Sequence, residues 1–270
     1  MQQNELFDVI ILGASVEGIT LAEYLNSRAP EMKIAFVSKH FDFVKDPNKL
    51  SNIKLISGES VFSSFNHGVI ILTLKDRNIV AGKKLVLATG GYSIKATIDK
   101  FKNKNICYNP REITINPKNR PAVVYGNGND AANFALTMSK KFKYVYLCSD
   151  VFDLQCDTKL LNKLNNTANI VHLPNCSIAS CKNDKDGNLQ EVTLNTYDTI
   201  KCSALVLALG RKPHVNGIDP KMVEIDADKY VKINTQHQTT RVNTIYAIGE
   251  CTKHNTKRSI TLVGNQLLGR

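Results

Sequence analysis

Phe7-Asp8-Val9-Ile10-Ile11-Leu12-Gly13-Ala14-Ser15-Val16-Glu17-Gly18 is the stretch on which the fold turns. Residues 7–12 are a β-branched apolar run of the kind that sits in a parallel sheet buried on both faces. The run passes into a glycine-containing turn and then into Ile19, Leu21, Ala22 and Leu25, spaced as one face of a helix that ends before Pro30. A strand over Lys33–Val37 completes a strand–helix–strand unit. The order recurs later in the chain. Pro121–Tyr125 leads into Gly126-Asn127-Gly128-Asn129-Asp130-Ala131, followed by a helix over 132–141 and a strand over Tyr144–Cys148. Two such units imply an α/β protein with two nucleotide-sized, Rossmann-like halves rather than one extended sheet.

Short alternating strands fill the intervals. Asn52–Gly58, Val69–Leu74 and Asn78–Val80 read as a meander closing on Lys84–Gly90. The second half repeats this with Asn169–Pro174, Ser177–Cys181, an Asp186-Gly187 turn and Glu191–Asn195, closing on Ala204–Gly210. Tyr230–Asn234 and Thr244–Glu250 read as further strands, and a short terminal helix is expected to begin near Thr261. The second half is thus inserted in the first, each with its own small antiparallel meander. The expected domains are 1–111 with 214–270, and 112–213.

The chain has 270 residues, 43% hydrophobic and 22% charged, which excludes disordered, collagen-like and disulfide-scaffold classes. No apolar run approaches the ~18–20 residues that span a bilayer, and the N-terminus lacks a basic, apolar leader pattern. Seven scattered cysteines suit a reducing compartment, so a cytoplasmic protein is expected. The 35 Lys+Arg exceed the 24 Asp+Glu by 11, with clusters at Lys140–Tyr144 and Lys253–Arg258. A nucleic-acid partner rests on that charge alone, because no reading motif accompanies it. His172, Cys176 and Cys181 match no zinc spacing, so no metal site is expected.

A glycine turn between strand and helix lets the backbone approach a pyrophosphate, which free N–H groups and the positive helix end then stabilise. Both turns have the strand-before, helix-after context that gives this motif meaning. Gly126, Gly128 and Ala131 keep its pattern, whereas the first turn has Ser15 at the middle position between Gly13 and Gly18. Asp150 lies 150 − 126 = 24 residues after Gly126, near the offset at which an acid accepts ribose hydroxyls and repels a 2′-phosphate.

In the order of these motifs the chain resembles the two-dinucleotide-fold flavoprotein reductases, and among them the low-molecular-weight thioredoxin reductases. The resemblance implies that Gly13, Ser15 and Gly18 lie against FAD, with Ser38 at the ribose position and Gly249-Glu250 in place of the family's Gly-Asp segment. Thr261 matches the start of the helix that faces the flavin. Gly126, Gly128, Ala131 and Asp150 match the nicotinamide-dinucleotide site, with NAD(H) favoured over NADP(H) because no arginine follows the strand. Ala88-Thr89-Gly90 and Leu209–Pro213 resemble the crossovers between domains. A homodimer is the family habit.

Three departures limit the transfer. Ser38 replaces an expected acid, and only Lys39–Ser51 stands where the family has a longer flavin-lining segment, so a protein partner closing the site is conceivable. The family's Cys-x-x-Cys reads Cys107-Tyr108-Asn109-Pro110, and one thiol forms no internal disulfide. Cys107 acts alone only if its pKa is lowered. The expectation is therefore an FAD-dependent, NAD(P)H-linked oxidoreductase with an unidentified acceptor. The alternative is a catalytically degenerate, reductase-derived scaffold that binds a protein or RNA.

Overall fold

The computed structural model describes residues 5–95, 104–115, 120–196, 198–253 and 257–269. The N-terminal residues read for a leader, and His254 to Thr256 of the second basic cluster, lie outside them. The chain forms two compact units, residues 1–92 with 212–270, and residues 93–211.

The first unit begins with β1 (Leu6–Leu12), α1 (Val16–Arg28), β2 (Ile34–Ser38) and β3 (Ile53–Ser57). An antiparallel meander follows, made of β4 (Ser60–Asn66), β5 (Val69–Leu74) and β6 (Ile79–Leu87). The chain leaves along β7 (Gly91–Ser93). The second unit holds β8 (Ile106–Cys107), β9 (Ala122–Tyr125), α2 (Asn129–Ser139), β10 (Val145–Cys148), α3 (Thr158–Asn165) and β11 (Ile170–Leu173). Its own meander is β12 (Ile178–Asn183), β13 (Leu189–Leu194) and β14 (Thr199–Lys201), followed by β15 (Ala204–Leu207). The chain returns along β16 (Arg211–Pro213) and completes the first unit with β17 (Ile245–Ala247) and α4 (Lys257–Leu267).

The sheet orders are β3-β2-β1-β6-β5-β4, with β17 on β6, and β11-β10-β9-β15-β8. The continuous apolar run of β1 reflects burial on both faces. Phe7, Ile10 and Leu12 pack with Ile70, Leu72, Leu85 and Leu87 on one side. Val9 and Ile11 pack under Leu21, Ala22 and Leu25 of α1 and Val263 and Leu267 of α4 on the other. Each such large side chain removed from water contributes about 1.5–3 kcal/mol.

Several sequence expectations shift for physical reasons. Residues 52–58 are not part of the meander: β3 pairs in parallel with β2 at the sheet edge. Residues 79–80 and 84–87 are one strand, β6, continuous through Gly82, where a Cβ would lie 2.7 Å from Cγ1 of Ile10. The unanticipated β4 has inverted polarity, with Ser60 and Ser63 buried and Val61 and Phe62 exposed. Ser63 faces inward because its hydroxyl accepts the Asp219 N–H at 2.8 Å. Residues 230–234 make only isolated bridges. Residues 93–111 go with the second unit, since Ile106 and Cys107 pair with Leu205 and Val206 and Lys104 bridges Asn188.

Candidate functional site

The two glycine turns are built alike. In the first unit the Gly13 N–H donates to Val37 C=O (2.8 Å) and the Ala88 N–H to Leu12 C=O (2.8 Å). In the second, Gly126 donates to Cys148 C=O (3.0 Å) and Ala208 to Tyr125 C=O (2.8 Å). A Cβ on Gly13 would lie 2.4 Å from the Ala88 oxygen, and one on Gly126 2.4 Å from the Ala208 oxygen. In both units the first glycine exists so that the turn can cross the neighbouring strand at backbone contact distance.

The two helix starts then diverge. Gly128 precedes α2 with no side-chain cap, and a Cβ there would meet nothing nearer than the Gln155 oxygen at 4.0 Å. The first-turn N–H groups of an α-helix have no partner within the helix, so this open turn suits an anion. Asn129 holds the turn in place: its Nδ2 donates to Asp157 (3.1 Å) and its Oδ1 accepts the Asp157 N–H (2.7 Å). Ala131 is buried beneath. Asp150 is exposed just past β10, and its carboxylate accepts from Asn127 Nδ2 at 3.1 Å. An acid is therefore oriented against the glycine turn. Burial, with the charge of Asp150 second, raises the Tyr125 phenol.

In the first unit, Ser15 caps α1 and its hydroxyl accepts the Gly18 N–H at 3.2 Å, taking up one of the N–H groups a pyrophosphate would use. Ser38 is also committed, accepting the Ala14 N–H (3.3 Å) and donating to His40 C=O (2.8 Å). Three segments nonetheless converge. Gly13 crosses Ala88-Thr89, a Cβ on left-handed Gly90 (φ 64°) would meet only Ser15, at 3.6 Å, and a Cβ on Gly249 would come within 2.9 Å of the Glu17 carboxylate. Thr89 Oγ1 is buried there beside the Cys251 thiol. The open face at Gly90 leaves room for a dinucleotide. Glu250 follows Gly249 in a short 3-10 turn, its Oε2 3.4 Å from the Cβ position of Gly91.

Other expectations fare differently. Thr261 does not start α4, which begins at Lys257; Thr261 lies one turn in and is exposed, so its N–H is not a helix-end donor. The helix starts earlier because Ser259 is buried and Val263 and Leu267 pack on the first unit's core, while Gly264 admits the Tyr24 ring at a Cβ distance of 2.6 Å. Cys107 is itself buried in β8, and burial pushes its thiol up to about 12, so the lowered pKa on which a redox role depends is not met. His172 Nε2 and the Ser149 hydroxyl lie in a hydrogen bond (2.9 Å), and Ser149 also reaches Val151 C=O (2.7 Å). No group of three or more possible metal ligands occurs among the described residues. Asn127, Asn129 and Glu17 escape sequence reading, although Glu17 and Asp130 precede the last small residue of their respective turns and share one register.

The family model described as pyridine nucleotide-disulphide oxidoreductase matches residues 7–265. The thioredoxin reductase of Mycoplasmopsis pulmonis is 24% identical, over 93% of this chain and 91% of its own. A ferredoxin–NADP reductase of Colwellia psychrerythraea is 25% identical over 73% of this chain, which spans only 59% of that relative. Among solved structures, the T. acidophilum thioredoxin reductase superposes with a TM-score of 0.79 at 18% identity, covering 97% of this chain and 95% of that one. The last likeness shows the fold alone.

Proposed function

Because this chain belongs to the pyridine nucleotide-disulphide oxidoreductase family, whose members bind FAD and a nicotinamide dinucleotide, we propose that it is an FAD-dependent, NADH-linked oxidoreductase passing hydride to an acceptor without a paired-cysteine centre. The observation that carries this reading is the uncapped start of α2 over Gly128, with Asp150 held beside it by Asn127. The α2 N–H groups would receive the pyrophosphate, and Asp150 the ribose hydroxyls. No Lys or Arg occurs in 149–153 to pair with a 2′-phosphate, which favours NADH although the Colwellia relative is named for NADP. FAD, when bound, supplies the two-electron acceptor for hydride. Gly13, Ser15, Gly18, Gly249 and Glu250 would hold it. Ser38 adds little to its ribose because its oxygen is already engaged.

The overall test is the absorbance spectrum of the purified protein, with added FAD, before and after anaerobic NADH. Visible flavin absorbance that NADH bleaches, faster than NADPH does, is the expected result. No flavin absorbance and no NADH oxidation would overturn the proposal. Those outcomes would favour the second reading, a reductase-derived scaffold, which the engaged Ser15 and Ser38 hydroxyls support.

A further inference from the structure

Four of the seven cysteines, Cys148, Cys176, Cys181 and Cys202, gather on the face of the second unit's sheet opposite α2. Two of them are neighbours. The Cys176 thiol donates to the carbonyl of Leu173, the residue paired with Cys148 across the sheet, at 3.1 Å. The backbone brings them together: Cys148 pairs with Leu173 across β10 and β11, Ser149 N–H donates to Leu173 C=O (3.0 Å), and Cys176 N–H donates to Ser149 C=O (2.8 Å). Cys148 is fully buried and Cys176 is 3% exposed.

The same segment carries the dinucleotide turn. The Cys148 carbonyl holds the Gly126 N–H, and Asp150 lies two residues on. We propose that Cys148 and Cys176 form a reversible disulfide whose closure weakens dinucleotide binding at the adjacent turn. The coupling to ligand rests on the reading of this unit given above; the bond itself does not. The oxidant is hydrogen peroxide, which is small and uncharged. One peroxide oxygen is transferred to the Cys176 sulfur, the O–O bond breaks and water leaves, giving a sulfenic acid. The Cys148 sulfur then attacks that sulfur, the S–O bond breaks, the S–S bond forms, and a second water carries off the Cys148 proton. The dithiol loses two electrons and two protons, and a thiol reductant returns them by exchange.

Closing a thiol contact to a bond of about 2.05 Å draws the sulfurs together, and the pull reaches Gly126 through the Cys148 carbonyl and Asp150 through Ser149. Burial raises the Cys148 thiol, so the reaction is slow rather than that of a fast sensor.

The test treats the intact protein with hydrogen peroxide and maps its peptides without reduction. A Cys148–Cys176 cross-link is expected before any other. It should be accompanied by about tenfold weaker NADH binding, within the usual range of coupling between sites, and by faster amide exchange at Gly126; dithiothreitol should restore both. Cys176→Ser should bind NADH normally and lose the peroxide response. Absence of the cross-link, or a cross-link that leaves both readouts unchanged, overturns the proposal. If the reduced protein binds no NADH, the function reading falls by itself, and the cross-link with Gly126 exchange still decides whether the bond forms and moves the turn.

Discussion

Replacing Gly13 with alanine is expected to lower unfolding stability by about 2–5 kcal/mol, as the sum of backbone strain at positive φ and overpacking. Gly13 has φ 105°, and its Cβ would lie 2.4 Å from the Ala88 oxygen and 2.6 Å from Thr89 Cα. These are backbone atoms of a central strand and its exit, held by the Ala88 N–H bond to Leu12, so neither side yields cheaply. Gly187 is the matched control. It too has positive φ (80°), but nothing lies within 4 Å of its Cβ position, so Gly187→Ala should cost only about 1 kcal/mol. Urea unfolding of both variants separates crowding from conformation. Equal losses would mean that the turn does not depend on close approach.

Asp150→Ala should weaken NADH binding about 10–100-fold, because a hydrogen bond to a charged group is worth about 1.5–3 kcal/mol. The same change removes a charge that repels a 2′-phosphate, so NADPH binding should fall far less or improve. The discriminating measurement is therefore the ratio of the two dissociation constants, obtained by titration calorimetry. Loss of both affinities in equal proportion would reassign Asp150 to holding Asn127 and the turn. Stability should be nearly unaffected, since Asp150 is exposed and makes one side-chain bond.

The fold was legible wherever apolar periodicity and glycine turns coincide. Residues 6–38 and 122–148 carry both signals, and they lie in sequence much as they lie in space. Legibility failed where the pattern is inverted or borrowed. In β4 serines face inward because Asp219 supplies a distant hydrogen-bond partner, and no local signal marks that. The start of α4 was placed late because its first turn is basic and polar, while the apolar contacts that hold the helix come from α1 and the sheet.

The candidate site was legible in its glycines but not in its satisfied groups. Sequence places Ser38 and Ser15 beside a ligand. Only geometry shows that their hydroxyls already serve Ala14, His40 and Gly18. Cys107 is similar, since a thiol's reactivity depends on burial, which a two-residue edge strand did not advertise.

The two short connecting strands have a consequence for how such a molecule can be cut and rebuilt. β7 and β16 pair with each other, and the bonds flanking them, Ile94 N–H to Gly210 C=O (3.0 Å) and His214 N–H to Gly90 C=O (2.9 Å), keep the outgoing and returning chain side by side. An insert whose two ends are neighbours closes with little loop entropy whether it is present or absent. The second unit therefore has the anatomy of a transplantable cassette: excision needs a single short splice, and the same doorway could receive a different module without re-registering the host sheet.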